Sequence, residues 1–284
     1  MKLLTLNSHS LQEKDHLGKM KCFVALVTRT QPDVVALQEV NQTMTAAELE
    51  EDGLEGMVPV PGNVIPVRRD NYAAEVVRRL RDAGMRCSWS WLPVKVGYGR
   101  YDEGIALFSL GRNIVQVDSF RISGCCGYHN WKTRKVLGVR VDGRADWFYT
   151  VHMGWWGDEK EPFRAQWERL NTELSGKKGL GPVWLLGDFN SPAEVRGEGY
   201  DCIRASGWLD TYLLAEQRDS GITVKGVIDG WRDKLENPMN AAGMRIDHIW
   251  CSRPKGILRS SVRFDGEKEP QVSDHCGVLV ETRE

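Results

Sequence analysis

Several apolar runs in this chain each stop at polar side chains able to bind metal or phosphate. They end at Asn7-Ser8-His9, Gln38-Glu39, Asp102-Glu103-Gly104, His152, Gly187-Asp188-Phe189-Asn190, Asp247-His248 and Ser273-Asp274-His275. Taken singly, an Asp or Asn in such a place is more often a turn or capping residue, because its side chain bonds the local backbone. The recurrence of the pattern points instead to one site assembled at the ends of sheet strands, and the chemistry such a set can do is metal-assisted hydrolysis. A hard divalent cation such as Mg2+ takes oxygen ligands and keeps several waters. One carboxylate and one amide oxygen, Glu39 and Asn7, are therefore enough to hold it beside a phosphate. Asp188 can align and deprotonate a water, while Asn190, two residues on, can donate to a phosphoryl oxygen from the same side of an extended chain. His275 directly follows Asp274, a carboxylate able to hold the imidazole in one tautomer.

The elements that must present these groups are legible as hydrophobic patterns. Lys2 to Asn7 reads as a buried strand, Gly18 to Thr30 as a helix with Met20, Phe23, Val24 and Val27 on one face, and Val34 to Leu37 as a second strand. Residues 41–66 carry acidic, then Gly-, Pro- and Val-rich sequence without a period, and read as an irregular insertion that could act as a lid. Asn71 to Ala83 reads as a helix, followed by strands over Cys87 to Leu92, Ile105 to Ser109, Ile114 to Ile122, Val136 to Val141 and Trp147 to Val151. A helix from Glu161 to Leu170 or beyond precedes a buried strand at Pro182 to Leu186, and strands at Arg245 to Cys251 and Cys276 to Glu281 close the chain. No repeat or linker divides it, so one α/β domain over residues 1–284 is expected.

Composition narrows the partners. With 38 Lys+Arg against 39 Asp+Glu in 284 residues, the net charge of −1 is too small to attract nucleic acid or an anionic membrane in general. No run approaches the roughly 20 apolar residues of a membrane span, and MKLLTLNSHS turns polar too early for a signal peptide. Seven scattered Cys without a C-x-x-C pair fit free thiols in a reducing cytoplasm.

These motifs resemble the endonuclease/exonuclease/phosphatase superfamily of metal-dependent phosphohydrolases. The matching pieces, in that family's order, are LLTLN (Leu3 to Asn7), ALQEV (Ala36 to Val40), DEGIALFS (Asp102 to Ser109), TVHMG (Thr150 to Gly154), LLGDFNSP (Leu185 to Pro192), RIDHIW (Arg245 to Trp250) and VSDHCGV (Val272 to Val278). The resemblance implies a four-layer α/β/β/α sandwich of two packed mixed sheets flanked by helices, with the site at one end. It implies Glu39 as principal metal ligand with Asn7, Asp188 orienting the water, and Asn190 with His152 on the scissile phosphate. It further implies Asp247 within the site, Asp274 orienting His275, and His275 stabilising the transition state, with Asp247 and His275 also as metal-ligand candidates. Mg2+ is the expected cofactor and Mn2+ the alternative. His9 stands where some members carry an acid, which leaves a second metal position open.

Residues outside the motifs bear on the substrate. Arg78-Arg79-Arg81 reads as a solvated helix face, whereas NWKTRK (Asn130 to Lys135) could place a cation, Arg134, on a substrate phosphate. Trp155-Trp156 follow His152 closely, and Trp131, Trp208 and Trp231 lie in polar, Gly-containing surroundings. Such rings suit stacking on a sugar, with core packing as the competing reading, strongest for Trp184. Segments containing Tyr101, Glu103, Trp131, Arg134, Trp155 and Trp156 are similar to a bacterial subgroup that includes maltose 6'-phosphate phosphatase. The expectation is a phosphatase of a small phosphorylated sugar, a disaccharide phosphate among the candidates. A phosphodiesterase or nuclease is the catalytic alternative, and a binding protein without turnover the alternative of another class. Oligomeric state is not legible.

Overall fold

The computed structural model describes residues 1–226, 243–253 and 255–283. Its first strand, β1 (Lys2–Asn7), shows why the opening run is apolar on both faces. Leu4 and Leu6 point to one hydrophobic core and Leu3 to another. A strand buried on both sides has no polar face to expose. β1 lies parallel to β2 (Val34–Thr43) and antiparallel to β13 (Gly277–Thr282). With β3 (Cys87–Gly97), β4 (Tyr101–Leu110), β10 (Ala215–Arg218) and β12 (Ile257–Arg263) they form a seven-stranded sheet in the order β10-β12-β13-β1-β2-β4-β3.

The second sheet has six strands in the order β5-β6-β7-β8-β11-β9. It comprises β5 (Ile114–Arg121), β6 (Lys135–Val141), β7 (Trp147–His152), β8 (Val183–Asp188), β9 (Leu209–Asp210) and β11 (Asp247–Cys251). A shared core containing Leu3, Ala36, Leu107, Leu137, Phe148 and Leu186 fills the space between the sheets. Helices α1 (His16–Thr30) and α2 (Tyr72–Asp82) cover the outer face of the first sheet. α3 (Phe163–Leu180) and α4 (Gly199–Ala205) cover the second, and a short helix α5 (Thr211–Leu214) packs on β11 and β12. The result is the α/β/β/α sandwich.

Local chemistry explains the helix ends. Asp15 caps α1 through the Gly18 N–H, and Asn71 caps α2 through the Ala74 N–H. On α2 the exposed Arg78 pairs with Glu75 and Asp82, and Arg79 with Glu75, so this basic cluster is a solvated, internally neutralised face.

Several boundaries differ from the sequence reading. β2 runs on to Thr43, and β3 and β4 extend to Gly97 and back to Tyr101, so Asp102 and Glu103 lie within a strand. The remainder of 41–66 lies along β3: Val58 donates to the Trp89 carbonyl and Trp89 to that of Gly56, and Val60 is buried. None of it is among the residues that line the site cavity. β12 escaped notice because its sequence, ILRSSVR, leaves one side largely polar and partly solvated. α3 ends ten residues beyond Leu170, at Leu180.

Between the sheets lies a polar bridge. Gln38 Nε2 donates to Thr150 Oγ1 of the opposite sheet at 2.9 Å and to Thr5 Oγ1 at 3.2 Å. This fully buried amide fixes β2 against β7 just before Glu39. Gly187 makes the matching close approach in the second sheet. Its φ is 154°, and a Cβ there would collide with the Val151 carbonyl oxygen of β7. Gly187→Ala is expected to cost about 1–3 kcal/mol of stability, read by urea unfolding, through forced separation of β7 and β8. An unchanged unfolding midpoint would refute the constraint.

Candidate active site

The strand ends converge as expected. A cavity of about 440 Å³ is lined by His9, Glu39, Lys95, Tyr98, Glu103, Trp131, Arg134, His152, Trp155, Asp188, Asn190, Asp274 and His275. Asn7 and Asp247 lie immediately behind these residues. The Asn7 amide nitrogen donates to Glu39 Oε1 at 2.9 Å and to Asp188 Oδ2 at 3.2 Å, linking the ends of β1, β2 and β8. Glu39 sits at a bulge in β2 with φ 52°, where the register against β4 shifts between Leu37 and Val40. That bulge turns its carboxylate toward the site.

Asp188 is the centre of the cluster. Its Oδ1 accepts the Asn190 N–H at 2.8 Å, and its Oδ2 lies 3.6 Å from His152 Nε2 and 3.9 Å from His275 Nε2. Burial raises its carboxyl above the usual range; His275 opposes this and Asp247 adds to it. Asn190, with φ 47°, donates from its amide to the Met153 carbonyl at 2.9 Å. Burial, then Arg134, Lys95 and His275, hold the His152 imidazole well below its ordinary value, so it is neutral.

One sequence expectation is corrected. The orienting partner of His275 is Asp247, whose Oδ2 lies 2.9 Å from His275 Nδ1 across the sandwich. Asp274, in the bend over residues 273–275, does not fill that place. Instead Asp274 accepts the Ser273 hydroxyl at 3.1 Å and lies 3.9 Å from His9 Nδ1. Burial would lower the His275 imidazole, but the charge and hydrogen bond of Asp247 outweigh it and raise it to about 10. His9 is raised to about 9, because Glu13, Asp274 and Glu39 outweigh its burial. It therefore brings positive charge to the cavity mouth.

The donor set suits a hard divalent cation. Burial and the neighbouring Glu103 raise the Glu39 carboxyl, the signature of a carboxylate short of positive charge. Asn7 supplies the amide, and oxygen atoms of this type are what Mg2+ or Mn2+ accepts. Asp188, Asp247 and His275 form a second grouping with ligand atoms within 4.8 Å of one another. The strong His275 to Asp247 hydrogen bond already occupies two of its members. Asp247 Oδ1 is buried with no hydrogen-bond partner among the described residues.

The aromatic candidates separate. Trp131 is 53% exposed and meets Trp155 with ring centroids 5.8 Å apart; both face the cavity. Trp156 packs on Phe163 at 6.1 Å under Arg164, away from the cavity, and Trp208 is buried against Trp167. Tyr101 is buried, its hydroxyl directed to the Leu11 carbonyl, and is not in the cavity wall. These three are scaffold. Trp231 lies outside the described residues. Arg134 is buried, donating through Nη1 to the Trp131 and Thr133 carbonyls at 2.9 and 3.2 Å. Glu103 reaches the cavity but is ion-paired at 3.0 Å with Lys95, a lining residue the motifs did not signal. Lys95 opposes Glu103 in the β3–β4 register, a pairing readable only once those strands are known.

Glu39→Gln keeps shape and removes a strained charge, so the metal-free protein should melt higher while the Mg2+-induced rise in Tm is lost. A Tm that still climbs with Mg2+ as in the parent would place the cation elsewhere. The folded pKa of His275 exceeds the ordinary 6.5, so its stabilisation is complete below that pH and is lost as pH rises through about 10. In Asp247→Asn burial dominates and the His275 titration, followed by NMR in metal-free protein, should move below the parent's. An unmoved titration would remove Asp247 from that role.

Comparison with known proteins follows the same lines. The profile described as Endonuclease/Exonuclease/phosphatase family matches residues 4–275, and no curated protein matches the chain. A family protein from Leptotrichia buccalis C-1013-b is 27% identical, with all of both chains covered and a TM-score of 0.82. A mannosyl-6-phosphatase from Bacteroides thetaiotaomicron VPI-5482 is similar at 18% identity, 100% coverage of each chain and TM-score 0.64. A 3' phosphatase from Neisseria bound to a product DNA hairpin is similar at 19%, 100% of each and 0.61. The last two likenesses concern the fold alone. With a profile match spanning nearly its whole length, on a two-sheet sandwich whose strand ends meet in one cavity, this chain belongs to the endonuclease/exonuclease/phosphatase family of phosphoric ester hydrolases.

Proposed function

We propose that the chain is a divalent-metal-dependent phosphatase of a small phosphorylated sugar. One observation carries the substrate class. The wall beside the hydrolytic cluster is the Trp131–Trp155 pair, with the Trp131 ring half exposed. A flat aromatic face in that place suits the C–H face of a sugar. Both a mannosyl-6-phosphatase and a 3' phosphatase bound to a DNA hairpin are built on this fold, so the fold leaves the substrate open and the cavity wall is what supports a sugar.

In this reading Glu39 and Asn7 hold Mg2+, or Mn2+ in its place, and the bound ion would supply positive charge to the phosphoryl oxygens. Asp188, with its raised carboxyl, aligns the attacking water and takes its proton. Asn190 and neutral His152 contact the phosphoryl group. His275, kept protonated by Asp247, donates to the charge that develops there in the transition state. Arg134 supports a phosphate oxygen and Asp274 holds His9 at the mouth. The cysteines are all free, which suits a reducing cytoplasm, and among the described residues no helix is long and apolar enough to cross a membrane. The core shared by the two sheets supports reading residues 1–284 as one domain.

The deciding experiment is phosphate release from a panel of sugar phosphates with Mg2+ or Mn2+, beside plasmid-nicking and phosphodiester assays. Salt-sensitive nicking with no phosphate released from any sugar would overturn the proposal in favour of a nuclease. No turnover in any assay would favour a binding protein. Trp131→Ala should lower kcat/KM on the preferred sugar phosphate roughly five- to tenfold, the worth of about 1 kcal/mol of stacking, and affect p-nitrophenyl phosphate less. Trp156→Ala should lower Tm and leave the ratio between those two substrates unchanged. Equal losses on both substrates for Trp131→Ala would refute the platform.

A further inference from the structure

Lys95 is a costly residue to place where it is. It lies on β3, next to a register shift between Pro93 and Lys95, and only 8% of it is exposed. Bulges of this kind redirect a side chain. Its amine meets Glu103 Oε1 at 3.0 Å, yet a buried Lys–Glu pair is weak support for a fold, because desolvation offsets the attraction. Beside it is Arg134, 3% exposed, which forms no ion pair among the described residues and whose Nε has no hydrogen-bond partner. This wall of the cavity therefore holds two buried cations, with Glu103 as the one carboxylate paired directly to Lys95. Glu39 and Asp188 line the same cavity, and their charges reach Arg134. Two desolvated cations in a cavity wall, one of them without an ion pair among the described residues, suit an anionic ligand.

The oxygen count of the ligand then matters. A phosphodiester monoanion has two non-bridging oxygens. A phosphomonoester dianion has a third oxygen and a second charge. We infer that Lys95, with Arg134, forms a clamp for that third oxygen, so that Lys95 sets the preference for phosphomonoesters over phosphodiesters while Glu103 holds the amine in place. The inference rests on the phosphohydrolase reading of this cavity and adds the residue that selects its ester class.

The test uses the Mg2+-loaded protein and inorganic phosphate, measured by titration calorimetry. Lys95→Met leaves Glu103 buried without a partner, so the double variant Lys95→Met/Glu103→Gln is studied beside it, with Tm recorded for each. Both should bind phosphate at least tenfold more weakly than the parent. Glu103→Gln, which keeps the cation and removes an opposing charge, should bind it as tightly or more tightly. In the double variant the ratio of kcat/KM for p-nitrophenyl phosphate to that for bis-p-nitrophenyl phosphate should also fall at least tenfold. Parent-like phosphate affinity in the double variant, equal losses from Glu103→Gln and Lys95→Met, or an unchanged ester ratio would each overturn the assignment. Lys95-dependent phosphate binding in a parent that hydrolyses no sugar phosphate would support the clamp and overturn the phosphatase reading.

Discussion

Like charges held together without enough counter-charge are the constraint around which this molecule is organised. Glu39, Asp188 and Asp247 are brought to one end of two packed sheets, and Asn7 donates to two of these three carboxylates at once. Water would screen such a cluster, but here the sandwich excludes most of it, so the carboxyls of Glu39 and Asp188 are pushed up. The four-layer architecture is what can hold them against that repulsion. The central strands of each sheet are buried on both faces, and the core between the sheets fixes the distance from β1 and β2 to β8.

Backbone strain collects at the same place. His9, Glu39 and Asn190 all adopt positive φ, near 50°, without being glycine. Each such residue costs energy that the surrounding structure must impose. The imposition is visible: Ser8 and Ser10 hydroxyls bind the carbonyls of Gln38 and Glu39, and Asp188 Oδ1 holds the Asn190 N–H. The Gln38 bridge to Thr150 then ties the strained β2 to the other sheet. A site prepared in this way needs little rearrangement when charge develops on a substrate.

The cavity rim is built differently, from loops tied to one another rather than from sheet. Lys132 pairs with Asp158, joining the segment that carries Trp131 and Arg134 to the one that carries Trp155. Tyr128 donates to buried Asp102 at 2.8 Å and anchors the first of these segments to β4. Glu161 accepts the N–H groups of Gly124 and Cys125, tying the same segment to the start of α3. The rim is thus a cross-linked set of loops anchored on β4 and on the start of α3. Loops of this kind, carried on a fixed scaffold, are where a shared fold can vary its substrate.

The sequence by itself determined the strand ends that carry the chemistry. Asn7, Glu39, His152, Asp188 and Asn190 stand at or just past the close of an apolar run and His275 just before one, and burial on both faces of the strands makes such runs easy to read. The family motifs added the layer order. What only the tertiary structure decided are the partnerships made across elements. Asp247 rather than adjacent Asp274 holds His275, because β11 of the facing sheet brings its carboxylate within 2.9 Å of the ring, a contact no local spacing reveals. Trp131 and Trp155 share a wall whereas Trp156, next in sequence, packs under α3. Lys95 gave no signal at all, since a lysine near a strand end normally reads as solvent-exposed. Its meaning depends on Glu103 lying opposite and Arg134 alongside, and contacts between residues distant in sequence are made only by folding.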